Sequence, residues 1–330
     1  MKPISRRLCL SLTAALGCTL GFVDAAQAQA QDFPTRPITI VVPYAAGGAT
    51  DITARRFAEG LGRRLSTTVV VDNKPGAATA IGAAYVARAP KDGYTLLFAP
   101  GTTTSVNPHL YGKLSYQLSD FAPISMVSRQ TFVLSVGAGH PAKTFRELMA
   151  YGKGKPDGLT YGTTGTGSMT NIIGEWVGKT TGLKLVEVPY KGTAPATVDV
   201  ISGRIDMQFE GITSTASMAG SGKMRPLVVM ADKPSPLLPS VPTFRDEGYP
   251  DLVAFTNFGL LAPKGTPGAV IDKLHAATVA TVASPAFTDS LAASGEAAVS
   301  SPSPRQFASF LNEEFEHWGR IIKPMNIKLD

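Results

Sequence analysis

Ile38-Thr-Ile-Val-Val-Pro-Tyr-Ala-Ala-Gly-Gly-Ala-Thr-Asp51 decides how this chain is read. Five residues, four of them apolar and β-branched, make a short buried strand. Pro43 breaks it, and paired glycines lead into a helical pattern in which Ala54, Phe57, Ala58, Leu61 and Leu65 share one face while Arg55, Arg56, Glu59, Arg63 and Arg64 lie elsewhere. A strand that re-enters as a helix through glycine presents backbone N–H groups at the helix start. The positive end of the helix dipole favours an anion there, so Tyr44, Ala45, Ala46, Gly47, Gly48, Thr50 and Asp51 form a candidate receptor loop for a carboxylate or phosphate.

The pattern continues outward. Apolar runs at 38–42, 69–71, 96–98, 132–136, 185–188, 207–209 and 227–230 alternate with helical stretches that begin after Gly48, near Ile81, at Ile172-Ile173 with Trp176 and Val177, and from Phe307 to Ile322. This alternation predicts βαβ units, an α/β class and largely parallel sheets. The Gly- and Pro-rich stretches at 153–158 and 234–242 read as surface loops, and no internal repeat is evident.

Lys2, Arg6 and Arg7 precede an apolar run from Leu8 to Val23 and the small-residue stretch Ala25-Ala-Gln-Ala-Gln-Ala30. That order predicts a cleaved export signal over residues 1–30, cut after Ala28 or Ala30, and a periplasmic mature protein. Cys9 and Cys18 both lie inside it, so the mature chain is expected to hold itself together without disulfides. It would carry 28 basic and 24 acidic residues, a mild excess that argues little for nucleic acid and modestly for an anionic small molecule. Its length suits two lobes of ordinary domain size.

Several blocks, in order, resemble one family. They are Pro43-Tyr-Ala-Ala-Gly-Gly-Ala-Thr-Asp51, Asn73-Lys-Pro-Gly-Ala77, Asp92-Gly-Tyr-Thr-Leu96, Val106-Asn-Pro-His-Leu-Tyr111, Val188-Pro-Tyr-Lys-Gly-Thr-Ala194, Gly203-Arg-Ile-Asp206 and Leu238-Pro-Ser-Val-Pro-Thr-Phe244. Across nearly the whole mature chain the sequence resembles the Bug-type solute receptors of tripartite tricarboxylate transporters. The resemblance implies a two-lobed periplasmic binding protein of type II, each lobe a mainly parallel sheet flanked by helices. It puts 31–130 and 254–330 in lobe one and 131–253 in lobe two, with crossing strands near 126–135 and 253–260. It further implies a monomer that binds a small carboxylate between the lobes, needs no cofactor and passes its ligand to membrane permease subunits. A membrane sensor kinase is a further candidate partner. Dicarboxylates, tricarboxylates and aromatic acids such as terephthalate all suit such a grip.

By that resemblance lobe two contributes Tyr161-Gly-Thr-Thr-Gly-Thr-Gly-Ser168, giving Thr163, Thr164, Gly165, Thr166, Gly167 and Ser168 as candidates. Ser168 equally suits an N-cap, and Asp51 equally suits the first helical turn, where a carboxylate stabilises the dipole. Thr102 and Thr103 follow a strand and fall at the cleft edge of a parallel sheet or in an N-cap cluster. Glu210 stands at another strand end, where it would select an ammonium or amide or else turn away from a carboxylate. Phe258 reads as a cleft wall or a core residue. Many family members carry a histidine after the second glycine loop, where Thr170-Asn171 stand here.

Enzyme readings find less support. His109, His140, His275 and His317 are isolated, so no metal-ligand pair is spaced for chemistry, and no Gly-x-Ser-x-Gly turn occurs. A hydrolase built on Ser168 and a distant histidine remains the alternative, since such triads assemble in space.

Overall fold

The computed structural model describes residues 33–47, 49–190, 192–293 and 296–329; the expected export signal, both cysteines and Gly48 lie outside the described residues. Strand β1 (Ile38–Val42) is followed by α1 (Ala49–Leu65), which carries Asp51 in its first turn and Arg63 and Arg64 in its last, charges that complement the helix dipole at both ends. Then come β2 (Val69–Asn73), α2 (Ala80–Ala87) and β3 (Thr95–Pro100). A π-helical turn, Thr102–Val106, runs into the short α3 (Asn107–Leu110).

The 17-residue strand β4 (Phe121–Gly137) organises everything after it. Next in order are α4 (Phe145–Lys153), β5 (Leu159–Thr163), α5 (Met169–Thr181), β6 (Leu185–Pro189), α6 (Thr193–Ile201), β7 (Met207–Gly211), α7 (Ile212–Gly220) and β8 (Met224–Val229). The chain returns through β9 (Phe255–Pro263) and ends with α8 (Gly268–Val282), α9 (Pro285–Ala292), β10 (Glu296–Ala298) and α10 (Pro304–Ile322).

The strand order is β2-β1-β3-β9-β4-β7-β5-β6, with β8 and β10 also pairing β4. The outer strands are parallel: β1 pairs β2 from Ile38↔Val69 to Val42↔Asn73 and also pairs β3, while β5 pairs β6 from Leu159↔Leu185 to Thr163↔Pro189 and also pairs β7. The middle is antiparallel. Residues 121–131 of β4 pair β9, from Phe121↔Pro263 to Thr131↔Phe255, and residues 132–136 pair β7, from Phe132↔Gly211 to Val136↔Met207. One strand therefore belongs to both halves of the sheet, and β9 closes the crossing beside it.

Each half buries its own core. Ile38, Ile40, Val42, Phe57, Leu61, Phe98, Phe258 and Leu274 cluster in one, and Leu134, Phe145, Tyr161, Ile172, Ile173, Phe209 and Trp318 in the other. The mixed α/β architecture with helices on the sheet matches the expected class. All seven apolar runs become strands. Strands β5 and β10 and helices α3, α4, α6, α7, α8 and α9 add to the reading. Of the expected loops, 234–242 carries no helix or strand and 153–158 carries none beyond Lys153, which closes α4.

Candidate ligand site

In a parallel sheet the carboxyl ends of the strands share an edge, and ligands bind outside that edge. Here the ends of β1, β2 and β3 bring Tyr44, Asn73 and Gly101-Thr102 together; the ends of β5, β6 and β7 do the same for Thr163, Pro189 and Glu210. The crossing strands join the two edges. Glu210 lies opposite Val133, Gly211 opposite Phe132, and Gln130 opposite Thr256. A Cβ placed at Gly211 would meet the Gln130 side chain, and one placed at Gly101 would lie 3.8 Å from Thr256 Oγ1 and 4.0 Å from Met169 Cε, at the start of α5. The two edges thus meet where Gly101 faces the first residue of a helix from the other half.

On the first edge, Tyr44 is half-buried and its hydroxyl is hydrogen-bonded to Thr102; burial pushes the phenol up from its ordinary value, and the Thr102 bond pulls the other way. Thr102 is 6% exposed and Thr103 fully buried, its Oγ1 donating to Thr79 Oγ1 at 2.7 Å. Ala45, Ala46 and Gly47 are exposed, and nothing lies within 4 Å of a Cβ placed on Gly47, whose φ of +85° suits glycine. Thr50 is half-buried in the first turn of α1, where backbone N–H groups have no helical partner.

Asp51 takes a structural part. Its Oδ2 accepts from Gly47 N and Arg55 Nε, both at 2.9 Å, and its Oδ1 accepts from Asn73 Nδ2 at 2.9 Å. Asn73 Nδ2 also donates to the Tyr44 carbonyl at 3.0 Å. Burial alone would raise the Asp51 carboxyl, but Arg55, Gly47 and Asn73 hold it below the usual range. The carboxylate is spent on fixing the loop.

The second edge is also tied to itself. Thr163 Oγ1 donates to Glu187 Oε1 at 2.7 Å and accepts from Gly165 N at 3.1 Å; Thr166 Oγ1 donates to Glu187 Oε2 at 3.1 Å. Thr164 N donates to Thr170 Oγ1, Gly167 N to Asn171 Oδ1 and Ser168 N to the Gly165 carbonyl, each at 3.0 Å. Ser168 is the N-cap of α5, accepting from Asn171 N at 3.3 Å. The Thr170-Asn171 pair therefore closes this loop. Nothing approaches a Cβ placed on Gly165, whereas one on Gly167 would collide with Leu329.

Glu210 carries the least satisfied carboxylate in the site. Burial pushes it up to about 7, against the pull of the Gly211 amide and the Thr193 hydroxyl, and its Oε2 is sealed from solvent with no hydrogen-bond partner among the described residues. Phe258 stands apart from these groups: it is 5% exposed, stacks on Phe98 with centroids 5.6 Å apart, and belongs to the core. The sequence reading did not single out Asn73, Thr79, Gln130, Glu187 or Thr193, and it marked Asn171 only as part of the Thr170-Asn171 departure after the second glycine loop. Asn73 was legible only as part of the Asn73-Lys-Pro-Gly block.

The histidines lie elsewhere. His109 Nε2 bonds the Phe315 carbonyl, His275 Nε2 bonds the Ser301 carbonyl, His140 Nδ1 accepts from Ala142 N, and His317 packs on the Trp176 and Trp318 rings. Ser168 bonds Thr170 and Asn171. Among the described residues no group of His, Cys, Asp and Glu is arranged to hold a metal ion, and no helix is long and apolar enough to cross a membrane.

Residues 53–327 match the model of the family described as "Tripartite tricarboxylate transporter family receptor". The protein BugT of Bordetella pertussis is 32% identical over 307 residues, 92% of this chain and 94% of that one. Among solved structures, the periplasmic binding protein BugD is 33% identical with a TM-score of 0.81, covering 90% of this chain and 99% of its own. R. palustris Rpa4515 with adipate is 31% identical with a TM-score of 0.82, covering 88% and 98%. The fold is thus that of a two-lobed periplasmic binding protein, and the chain belongs to the receptor family of tripartite tricarboxylate transporters.

Proposed function

We propose that this chain captures a small carboxylate in the cleft between its two lobes, outside the cytoplasm, and delivers it unchanged to the permease of a tripartite transporter. The lobes are 31–130 with 254–330, and 131–253, joined through β4 and β9. The carboxylate sits against the Tyr44 to Asp51 loop, taking hydrogen bonds from the first-turn amides of α1 and from the Tyr44 and Thr102 hydroxyls. The 163–168 loop and Glu210 enclose the far end. The observation that carries this reading is the convergence of both sets of strand ends at Gly101, where a Cβ on one edge would lie 4.0 Å from Cε of Met169, the first residue of α5. The adipate bound by the Rpa4515 neighbour agrees with it.

A helix end supplies only about 0.3–1 kcal/mol toward an anion, whereas micromolar binding requires about 8 kcal/mol. Desolvated hydrogen bonds and packing in the closed cleft must supply the rest. Calorimetry on protein unfolded and refolded free of ligand, titrated with six-carbon and four-carbon acids and their methyl esters, tests the reading. At least one acid should bind in the micromolar range or tighter and lose that affinity as the ester. Equal binding of acid and ester would sink it.

A further inference from the structure

We propose that the far end of the ligand carries a nitrogen donor, an ammonium or an amide N–H, which hydrogen-bonds the buried carboxylate oxygen of Glu210. This deepens the carboxylate-receptor reading and rests on it.

The position of Glu210 follows from the register. It is the penultimate residue of β7, opposite Val133 on the strand shared by both halves. The next residue, Gly211, lies under the Gln130 side chain; Gln130 stands opposite Thr256, and Thr256 lies beside Gly101. Gly101 precedes Thr102, whose hydroxyl bonds Tyr44. One continuous path across the crossing strands therefore joins the proposed carboxylate end, Tyr44 and Thr102, to Glu210 on the other edge.

What stands at that far end is an acceptor without a donor. The Gly211 amide and the Thr193 hydroxyl serve the Glu210 carboxylate, yet Oε2 is enclosed and unpartnered. A buried acceptor left this way is unfavourable, so an incoming donor gains both the new bond and the relief of that defect. Glu187 adds a second carboxylate to the same edge, held by Thr163 and Thr166. Among the described residues no lysine or arginine forms an ion pair with either acid. An ionised second carboxylate on the ligand would meet like charge here. A hydroxyl would bring one more acceptor to an edge already crowded with them. An ammonium brings no acceptor and also answers the charge, and an amide brings two N–H donors beside its one carbonyl acceptor.

Two matched series serve as probes: adipate, its methyl ester, adipic monoamide, 6-aminohexanoate, 6-hydroxyhexanoate and hexanoate; and succinate, its methyl ester, succinamate, 4-aminobutanoate, 4-hydroxybutanoate and butanoate. Each is titrated by calorimetry at pH 8 into ligand-free wild type and Glu210→Gln. In the wild type the amine- or amide-ended member should bind at least about tenfold tighter than the diacid of the same length, the scale expected for one buried charge-assisted contact. In Glu210→Gln the preference for ammonium over diacid should shrink at least about tenfold. The variant should melt no lower than the wild type at pH 8; if it does not fold, the wild-type ranking decides alone. A diacid that binds tightest to the wild type, or a hydroxyl-ended acid that matches the amine, overturns the proposal. If an acid binds and its methyl ester does not, the carboxylate reading stands whatever Glu210 does. If no acid of either length binds, that reading falls and this inference with it.

Discussion

Asp51 draws three donors to one carboxylate: the Gly47 amide four residues back, Arg55 four residues on, and Asn73 at the end of the neighbouring strand. Removing it by Asp51→Ala would take the acceptor from the Gly47 amide and one of two acceptors from the Asn73 amide group, so a loss of about 1–3 kcal/mol in unfolding free energy is expected. The sign with pH follows from its lowered carboxyl. A carboxylate whose folded value is depressed contributes its full stability above the unfolded value, near 4, and loses it as pH falls through the folded one. Urea unfolding of wild type and variant at pH 7 and at pH 3 should show the gap narrowing at the lower pH; an equal gap would remove the carboxylate from the account. Local sequence could present Asp51 as a dipole partner or a ligand contact. It could not show Asn73, because the bond between them depends on β1 and β2 lying side by side. Phe258 was ambiguous for the same reason: only the sheet order puts it on Phe98.

Between β2 and α2 the chain holds three consecutive non-glycine residues, Ala77, Ala78 and Thr79, at φ of 44°, 44° and 84°. L-residues rarely adopt this region, and something must hold them there. Asn107, at the start of α3, donates through Nδ2 to the Ala78 carbonyl at 2.6 Å and to Thr79 Oγ1 at 3.2 Å, while Thr103 donates to Thr79 from the π-helical turn. Asn107→Ala should therefore destabilise the protein by about 1–3 kcal/mol, and should weaken acid binding as well, because the clamp also fixes the turn that carries Thr102. Paired melting and calorimetric measurements check this; a variant with wild-type stability and affinity would show that the strained stretch is held by other means. The strands with continuous Val, Ile and Leu runs were legible in the sequence since burial on both faces writes itself as a run. Strand β5, Leu-Thr-Tyr-Gly-Thr, was not: its identity as a strand rests on Tyr161 packing against Gly174 of α5 and on pairing to both neighbours. The 102–106 stretch reads as a capping cluster for a comparable reason: the Thr103 hydroxyl finds its partner on α2's lead-in and the Thr103 carbonyl accepts from the Tyr116 hydroxyl, contacts that only the fold brings together.

At the scale of the molecule, α10 runs across both halves. Phe307 and Leu311 near its start pack with Val41, Leu97, Phe121 and Leu261 of the first half, while Trp318 and Ile322 near its end pack with Leu134, Tyr161, Ile172 and Phe209 of the second. Between them, buried Glu314 accepts from Asn257 Nδ2 at 3.3 Å on the crossing strand β9. Two lobes and a crossing pair of strands were legible through the resemblance, but assigning 254–330 wholly to lobe one leaves out this second anchor. No periodicity announces it, because a helix with one apolar stripe reads the same whether the stripe meets one core or two. The optical consequence is specific. The chain has two tryptophans, and Trp318 lies 6.0 Å from Trp176 of α5, ring centre to ring centre. Tryptophan emission therefore has a single address, the contact of α10 with the second half, and unfolding confined to the first half would leave it nearly unchanged. With α10 anchored at both ends, tryptophan emission and far-ultraviolet circular dichroism should trace one coincident urea transition, as a cooperative unit requires. An emission change that precedes the dichroism would mean that the helix lets go first, and the protein's own fluorescence would then be a gauge of that release.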